Sequence, residues 1–468
     1  MRRGYKSVSH ERGGSARRAY DELVDTLDRI VGSVEDRSAR GVASAVTQLI
    51  AAGIIPPRER MPTTRVIADR LGLSAGSISD AWKMLVADGL LETRGRQGTF
   101  VVDPEASTPW RQFRGVQGAE IRLDLSTGFP DPEQLIDIRP HLRQLADGPA
   151  YRGYPADELD PLLAEALRPH VPFMPAPDNT LLATHVLGAL SEIFPVIGPP
   201  STKVIVAQPE FAPYVDLLER YRLEPVAVPL TDEGPELAAV ERAVNAGARA
   251  IILQPRVHNP SGIVTSRRRL RAIAELCAMH DVWIFDGDFY GDLLPVPAMS
   301  AAEWAPAHTL YVKAFSKDIH PDIRVAVLIG APKLIREAHR RRVGGYEVSR
   351  LNQDLLRLLL NDPMRRAHLK TVKEEYARRQ QTFVDVLAEH GIQIPHGGGF
   401  NVWVPVRSEG DALVYLASKG IGVAPGSAFQ VGGVNDPHIR VSTAAITGDV
   451  ADVAREIAVA SQVGRTKR

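Results

Sequence analysis

Ser316-Lys317, with Arg324 seven residues further on, is the part of this chain best equipped for covalent chemistry. A lysine amine can condense with a carbonyl group to form a Schiff base, and it does so best where its surroundings hold it uncharged. Other groups in the sequence could serve a ligand held that way. His258-Asn259-Pro260-Ser261-Gly262 is a turn rich in hydrogen-bonding groups, 58 residues before Lys317. Phe285-Asp286-Gly287-Asp288-Phe289-Tyr290 sets two carboxylates among aromatic rings. Gln208-Pro209-Glu210-Phe211 places an aromatic after an apolar run, and His438-Ile439-Arg440-Val441-Ser442 places an arginine in a strand pattern. A guanidinium there can grip a carboxylate through two parallel hydrogen bonds. Lys313 is the competing lysine, but it falls inside the end of a strand-like run.

These groups need elements to hold them. A chain of 468 residues exceeds one ordinary core, so two or three domains are expected. Residues 1–37 divide into a polar tail and an amphipathic helix over 19–34, with Leu23, Leu27, Ile30 and Val31 at helical spacing for packing or dimer contact. A compact unit follows over 38–102, then a Pro/Gly/Ser-bearing linker over 103–119. From 120 to 468 apolar strands alternate with helices. Runs at 204–207, 250–253, 282–285 and 309–312 predict buried parallel strands of a doubly wound α/β domain. From about 367 the pattern changes to a long helix (367–389) and strands at 400–405 and 438–442, a smaller α+β subdomain. No run of eighteen apolar residues occurs, so no membrane span is expected. The basic N-terminus lacks an apolar stretch of the secretory kind. Cys277, the single cysteine, reads as a buried, reduced core thiol. A cytoplasmic protein without a metal site is the expectation.

The 38–102 unit has the grammar of a winged helix-turn-helix. Helices are predicted over 41–52, 65–71 and 75–88, with Gly53, Gly72 and Gly89 ending them and Ser74 capping the third. Residues 90–101 read as a two-stranded wing with a Gly/Arg tip. Over 36–102 nine bases and six acids give 9 − 6 = +3, mild support for phosphate contact although the whole chain is neutral. The segment resembles the GntR superfamily reader through Ile55-Pro56-Pro57, Met61-Pro62, Leu71-Gly72-Leu73-Ser74, Gly89-Leu90-Leu91 and Gly98-Thr99-Phe100-Val101. The resemblance implies double-stranded DNA as partner, met by Arg65, Ser74, Ser77, Ser79, Lys83, Arg94 and Gly98. The recognition helix opens on serines where the family often carries arginines, so bidentate guanine reading from those positions is not expected. Arg65 and the wing, or pairing of two readers, would then carry recognition.

The second half resembles the fold-type I, aspartate-aminotransferase-like proteins that use pyridoxal 5'-phosphate. That cofactor needs a Schiff-base lysine, an acid at its pyridine nitrogen, cations and helix N-termini at its phosphate, and an aromatic against its ring. The resemblance implies Lys317 as the Schiff-base and candidate catalytic lysine, with Ser316 beside it and Arg324 on the phosphate. It implies Asn259 on the ring oxygen, Phe211 stacked on the ring, and Tyr290 in the cofactor set. Gly188 and Ala189 fall in the turn that opens the phosphate-binding helix, expected near 184–191. Tyr154, or Tyr151, would reach the partner subunit's phosphate. For the ring nitrogen Asp288 is the first choice and Asp286 the second, because a gapless match sets Gly287 where the acid belongs. Arg440 and Gly128 would line the pocket for a carboxylate-bearing ligand.

Together the two halves resemble the MocR subfamily of GntR regulators over 38–460. That implies a homodimer in which a small amino compound, or the cofactor itself, acts near Lys317 and re-spaces two winged helices on DNA. The alternative is a working aminotransferase that carries a DNA-binding module; the irregular acid cluster argues against it.

Overall fold

The computed structural model describes residues 25–87, 90–93, 98–102, 120–148, 158–171, 179–342, 348–395, 397–433 and 436–464. Arg94, Tyr151, Tyr154 and the 103–119 linker lie outside the described residues. The chain divides into two compact units, Met1–Pro109 and Trp110–Arg468.

In the first unit helices α1 (25–33), α2 (Ala39–Ala51), α3 (Thr64–Leu71) and α4 (Ala75–Ala87) precede an antiparallel pair, β1 (Leu91–Thr93) and β2 (Thr99–Val101). Ser38 caps α2 by accepting from the Gly41 N–H, and Ser74 does the same for the Ser77 N–H ahead of α4, at 3.1 and 3.0 Å. Gly72 ends α3 at φ 67°, a left-handed conformation that a side chain would strain. The apolar stripes of α2, α3 and α4 meet at Val46, Leu49, Ile67, Leu71, Ile78 and Leu85. The amphipathic α1 joins this core through Leu27 and Ile30, and an Asp28–Arg70 ion pair of 2.6 Å ties it to α3. Burying a side chain such as Ile30 is worth about 1.5–3 kcal/mol, enough to make α1 part of the unit.

The second unit is built on an eight-stranded sheet. Its strands are β4 (Thr180–Ala183), β5 (Lys203–Gln208), β6 (Glu224–Thr231), β7 (Gly234–Pro235), β8 (Ala250–Leu253), β9 (Trp283–Asp288), β10 (Thr309–Ala314) and β11 (Ala326–Gly330), in the order β4-β11-β10-β9-β8-β5-β6-β7. The central strands β6, β5, β8, β9 and β10 run parallel, and antiparallel strands close both edges. Helices α5 (Arg139–Ala146), α6 (Pro161–Leu167), α7 (Val186–Ile197), α8 (Ala212–Arg220), α9 (Leu237–Asn245), α10 (Arg267–Met279), α11 (Pro332–Arg341) and α12 (Arg350–Asn361) accompany it. Strand alternation sorts the two faces. Val204, Val206, Phe285 and Val312 pack with Phe194 of α7 and Leu218 of α8. Ile205, Ile251 and Ile284 pack with Val240 of α9 and Cys277 of α10. Burial pushes the Cys277 thiol up to about 12, so it stays protonated.

The smaller subdomain carries α13 (Pro363–Glu389), α14 (Glu409–Ser418) and α15 (Val450–Gln462) against a sheet of β12 (Asn401–Pro405), β14 (Ala424–Pro425) and β15 (His438–Ser442), ordered β12-β15-β14. One pairing has no counterpart in the sequence reading. The segment just after the linker, β3 (Leu123–Asp124), runs parallel to β13 (Ile421–Gly422), and Leu125 is buried among Phe383, Val402 and Val441 of this subdomain. Among the described residues no helix is long and apolar enough to cross a membrane.

Candidate functional site

The carboxyl ends of the parallel strands are where open α/β sheets bind ligands, because the loops there diverge and leave a crevice. A cavity of about 230 Å³ lies there, bounded by Phe211 after β5, Gln254 and Asn259 after β8, Phe289 after β9, and Ala314, Ser316 and Lys317 after β10. Thr184, His185, Val186 and Leu187 bring the start of α7 to it, and Arg324 with Val325 leads into β11. Lys317, Ser316, Asn259, Phe211 and Arg324 therefore share one cavity although they come from three separate loops.

Lys317 is half-buried, and its Nζ lies 4.3 Å from the centroid of the Tyr290 ring. Burial, helped by the nearby Arg440 charge, lowers its amine to about 7. Desolvation penalises the ammonium and leaves the neutral amine untouched, so the nucleophilic form exists at physiological pH. Tyr290 is buried, and burial pushes its phenol up to about 12, which keeps it protonated. Its oxygen accepts from Asn401 Nδ2 at 3.0 Å.

Arg440 is buried at 1 % exposure, and burial lowers its guanidinium to about 10. Nη1 donates to Asn259 Oδ1 at 3.2 Å, Nη2 donates to the Ser126 carbonyl, and the group lies 4.7 Å from the Phe429 ring. With its oxygen used by Arg440, the Asn259 amide keeps its N–H donors for the cavity. Gly128 follows Ser126 at φ 67°, where a Cβ would come within 3.2 Å of Asn401 Oδ1, so glycine permits the close approach.

The acid cluster is arranged otherwise than expected. Asp288 does not line the cavity; it accepts from Arg256 at 2.7 Å, Tyr311 at 2.8 Å and the Gly291 N–H at 3.0 Å. Burial works to raise its pKa, but Lys313 and Arg256 outweigh that and hold the carboxyl below its ordinary value. Asp286 accepts from the Ser300 hydroxyl at 2.6 Å and the Ala301 N–H at 2.8 Å, and burial pushes it up to about 7. The reason is strand parity. Both acids occupy even positions of β9, on the face of Ile284, whereas Phe285 and Phe289 turn to the opposite face. Lys313 is also spent elsewhere, buried 3.8 Å from Asp288 and 3.6 Å from Asp318. Burial works against its charge, but those carboxylates outweigh it and raise the amine's pKa.

The phosphate turn is shifted as well. Helix α7 starts at Val186, two residues before Gly188, with His185 as its cap accepting from the Gly188 N–H at 2.9 Å. Val186 and Leu187 face the cavity; Gly188 does not line it, and Ala189 is in the core. First-turn N–H groups have no acceptor inside a helix, so those of 186 and 187 are available to an anion. Sequence reasoning missed Tyr214 and Phe289 in the cavity wall. Phe211 and Tyr214 are three residues apart at the start of α8 and meet edge to face at 5.3 Å, a spacing that could have found the second ring.

In the first unit, Arg65 is exposed in the first turn of α3, and Ser74, Ser77, Ser79 and Lys83 follow along α4. Lys83 is exposed and pairs with Asp80 at 2.8 Å, and Ser74 and Ser77 share a 2.9 Å hydrogen bond. Gly98, at φ 109°, approaches the exposed Arg60 so closely that a Cβ would stand 3.2 Å from its Nε, which adds Arg60 to the basic groups beside the wing.

Residues 120–457 match the family described as aminotransferase class I and II, and residues 38–101 match the bacterial regulatory proteins of the gntR family. The chain is 30% identical over 410 residues to the vitamin B6 salvage pathway transcriptional repressor PtsJ of Salmonella typhimurium, covering 85% of this chain and 92% of that one. It is 25% identical over 395 residues to the pyridoxine biosynthesis transcriptional regulator PdxR of Corynebacterium glutamicum, covering 81% and 85%. Two solved structures share the fold of the second unit. Pyrococcus horikoshii kynurenine aminotransferase superposes with a TM-score of 0.66 at 19% identity, covering 74% of this chain and 90% of that one. Thermus thermophilus aspartate aminotransferase gives 0.62 at 24%, covering 74% and 91%.

Proposed function

The chain belongs to the aminotransferase class I and II family, joined to a gntR-type reader as in the MocR regulators, and on that premise we propose that it senses a small amino compound or the cofactor itself at Lys317. It is a DNA-binding transcriptional regulator whose aminotransferase-like half takes pyridoxal phosphate. The observation that carries the sensing role is the neutral-leaning Lys317 amine in a cavity whose other groups suit that cofactor. Phe211 and Tyr214 supply an aromatic wall, Asn259 a hydrogen-bond donor, and Ser316, Arg324 and the first turn of α7 an anion cradle.

When bound, the cofactor supplies an aldehyde and an electron-withdrawing ring. Lys317 offers the nucleophilic amine at pH values near or above 7. Tyr290 sets its ring against that amine, and Arg440, hydrogen-bonded to Asn259 at the cavity wall, is the guanidinium for which a ligand carboxylate would compete. A ligand acts only through its different affinity for two conformations of the protein, so the signal is a shift between arrangements of a homodimer on its operator. The protein works in the cytoplasm in this reading.

The test uses the full chain mixed with pyridoxal phosphate. Wild type acquires a visible absorbance. Lys317→Ala loses it but still retards its operator in a gel shift. Colour that survives the substitution would mean that another lysine holds the cofactor. A wild type that stays colourless would mean that the cavity is only part of a scaffold.

A further inference from the structure

Resting on that reading of the cavity, we propose that this chain holds pyridoxal phosphate with its ring nitrogen unprotonated, because the Phe289 ring fills the space over Gly287 from which an acid would reach it. Amines bound at Lys317 then exchange and leave chemically unchanged.

A pyridine ring is a strong electron sink only when its nitrogen is protonated, and a buried one keeps its proton through an acid within hydrogen-bond reach. None of the described residues lining the cavity is Asp or Glu. The odd positions of β9 and its extension turn to the cavity side: Phe285 packs against Phe194, and Phe289 lines the cavity. Between them stands residue 287, a glycine. A Cβ there would lie 2.4 Å from Phe289 Cζ and 2.5 Å from Cε2, so no side chain fits while that ring stays in place. Phe289 is itself seated, tilted at 56° against Tyr214 with centroids 6.2 Å apart. Asp286 and Asp288 point to the other face and are held by Ser300 and Ala301 and by Arg256 and Tyr311. The neighbouring Glu210 is committed too, accepting from the Phe211 N–H at 2.7 Å, Gln254 Nε2 at 2.9 Å and the Ala207 N–H at 3.3 Å.

Exchange does not need the sink. The ligand amine adds to the carbon that Lys317 holds, the double bond from that carbon to Nζ is exchanged for one to the ligand nitrogen, and both protons of the incoming neutral amine pass to Nζ, so that Lys317 departs as the free amine. Nothing is oxidised or reduced. Loosening the Cα–H bond of the ligand does need the sink, because the electron pair must move into the ring. The Gly287–Phe289 pair therefore separates recognition from turnover.

Ring-15N-labelled pyridoxal phosphate bound to the full-length protein reads the nitrogen directly by NMR. The expected wild-type signal is that of an unprotonated pyridine at neutral pH. A protonated signal in wild type overturns this proposal alone. The absence of any bound signal overturns it together with the reading of the cavity. The second measurement is deuterium exchange at Cα of L-alanine, used as a probe amine. Gly287→Asp with Phe289→Ala is expected to exchange about 10²-fold faster than wild type, the scale of one well-placed electrostatic partner. Gly287→Asp alone, with the ring still in the way, gains nothing. Equal gains from the single and the double variant would refute the steric part of the proposal.

Discussion

Replacing Lys317 with methionine in the cofactor-free chain should stabilise it, and by more at low pH than at high pH. The side chains have similar length, and the thioether loses nothing on leaving water. The amine falls from 10.5 to about 7 in the folded protein, mainly because it is buried. That difference of about 3.5 units, at 1.36 kcal/mol each, sets a ceiling of about 5 kcal/mol. Lys317 is only half-buried, and its exposure to solvent screens its charge, so about 2.5 kcal/mol is the working figure. The sign follows from proton counting. Below pH 7 the amine is charged in both states, and the folded state bears the full penalty. Between 7 and 10.5 the unfolded chain holds a proton that the native chain has released, so wild type gains stability as pH rises. At about pH 9 the remaining 1.5 units correspond to a ceiling of about 2 kcal/mol and a working figure of about 1. Urea unfolding of both proteins at about pH 6.5 and about pH 9, at one protein concentration, measures the difference. A stabilisation that is the same at both values, or a variant less stable than wild type at the lower one, would refute the claim that the fold holds this amine neutral.

Two further outcomes can be checked independently. The Arg342 side chain is 7% exposed, donates to Glu158 at 2.7 Å and to the Leu182 carbonyl at 3.0 Å, and pairs with Glu192 at 2.9 Å; Arg342→Met should cost about 3 kcal/mol in thermal or urea unfolding, because it leaves Glu158 only the Leu182 N–H and His339 as partners. Arg65→Ala should weaken operator binding and reduce the slope of log affinity against log salt by about 1, as measured by fluorescence anisotropy.

The elements were legible where apolar residues run uninterrupted. The 250–253 run coincides with β8, because a strand buried on both faces is apolar throughout, and 438–442 coincides with β15 through Ile439 and Val441 alternating with polar residues. Lys317, Asn259, Phe211 and Arg324 could be placed because each belongs to a local pattern beside a strand end. The direction of a side chain could not. Asp288 was preferred by spacing, yet β9 continues through it, and parity turns it away from the cavity. Gly188 follows from the resemblance of Gly188-Ala189-Leu190 to the phosphate turn of the family. Helix α7 instead opens on Val186-Leu187 behind His185, a residue that seldom stands out as a cap. The pairing of β3 with β13 left no trace because two residues carry no period, and their partner lies nearly the whole second unit away.

That short pairing settles where the first described stretch of the second unit is moored. Backbone bonds from Arg122 and Leu123 to Gly420, from Leu125 to Gly422, and from Ser442 back to Leu125 rivet it into the smaller subdomain, not into the eight-stranded sheet. Arg440 clasps the Ser126 carbonyl immediately downstream of this rivet. A pull on this stretch is thus borne by the smaller subdomain, beside the arginine that also meets Asn259. A carboxylate competing for that guanidinium would pull on the mooring itself.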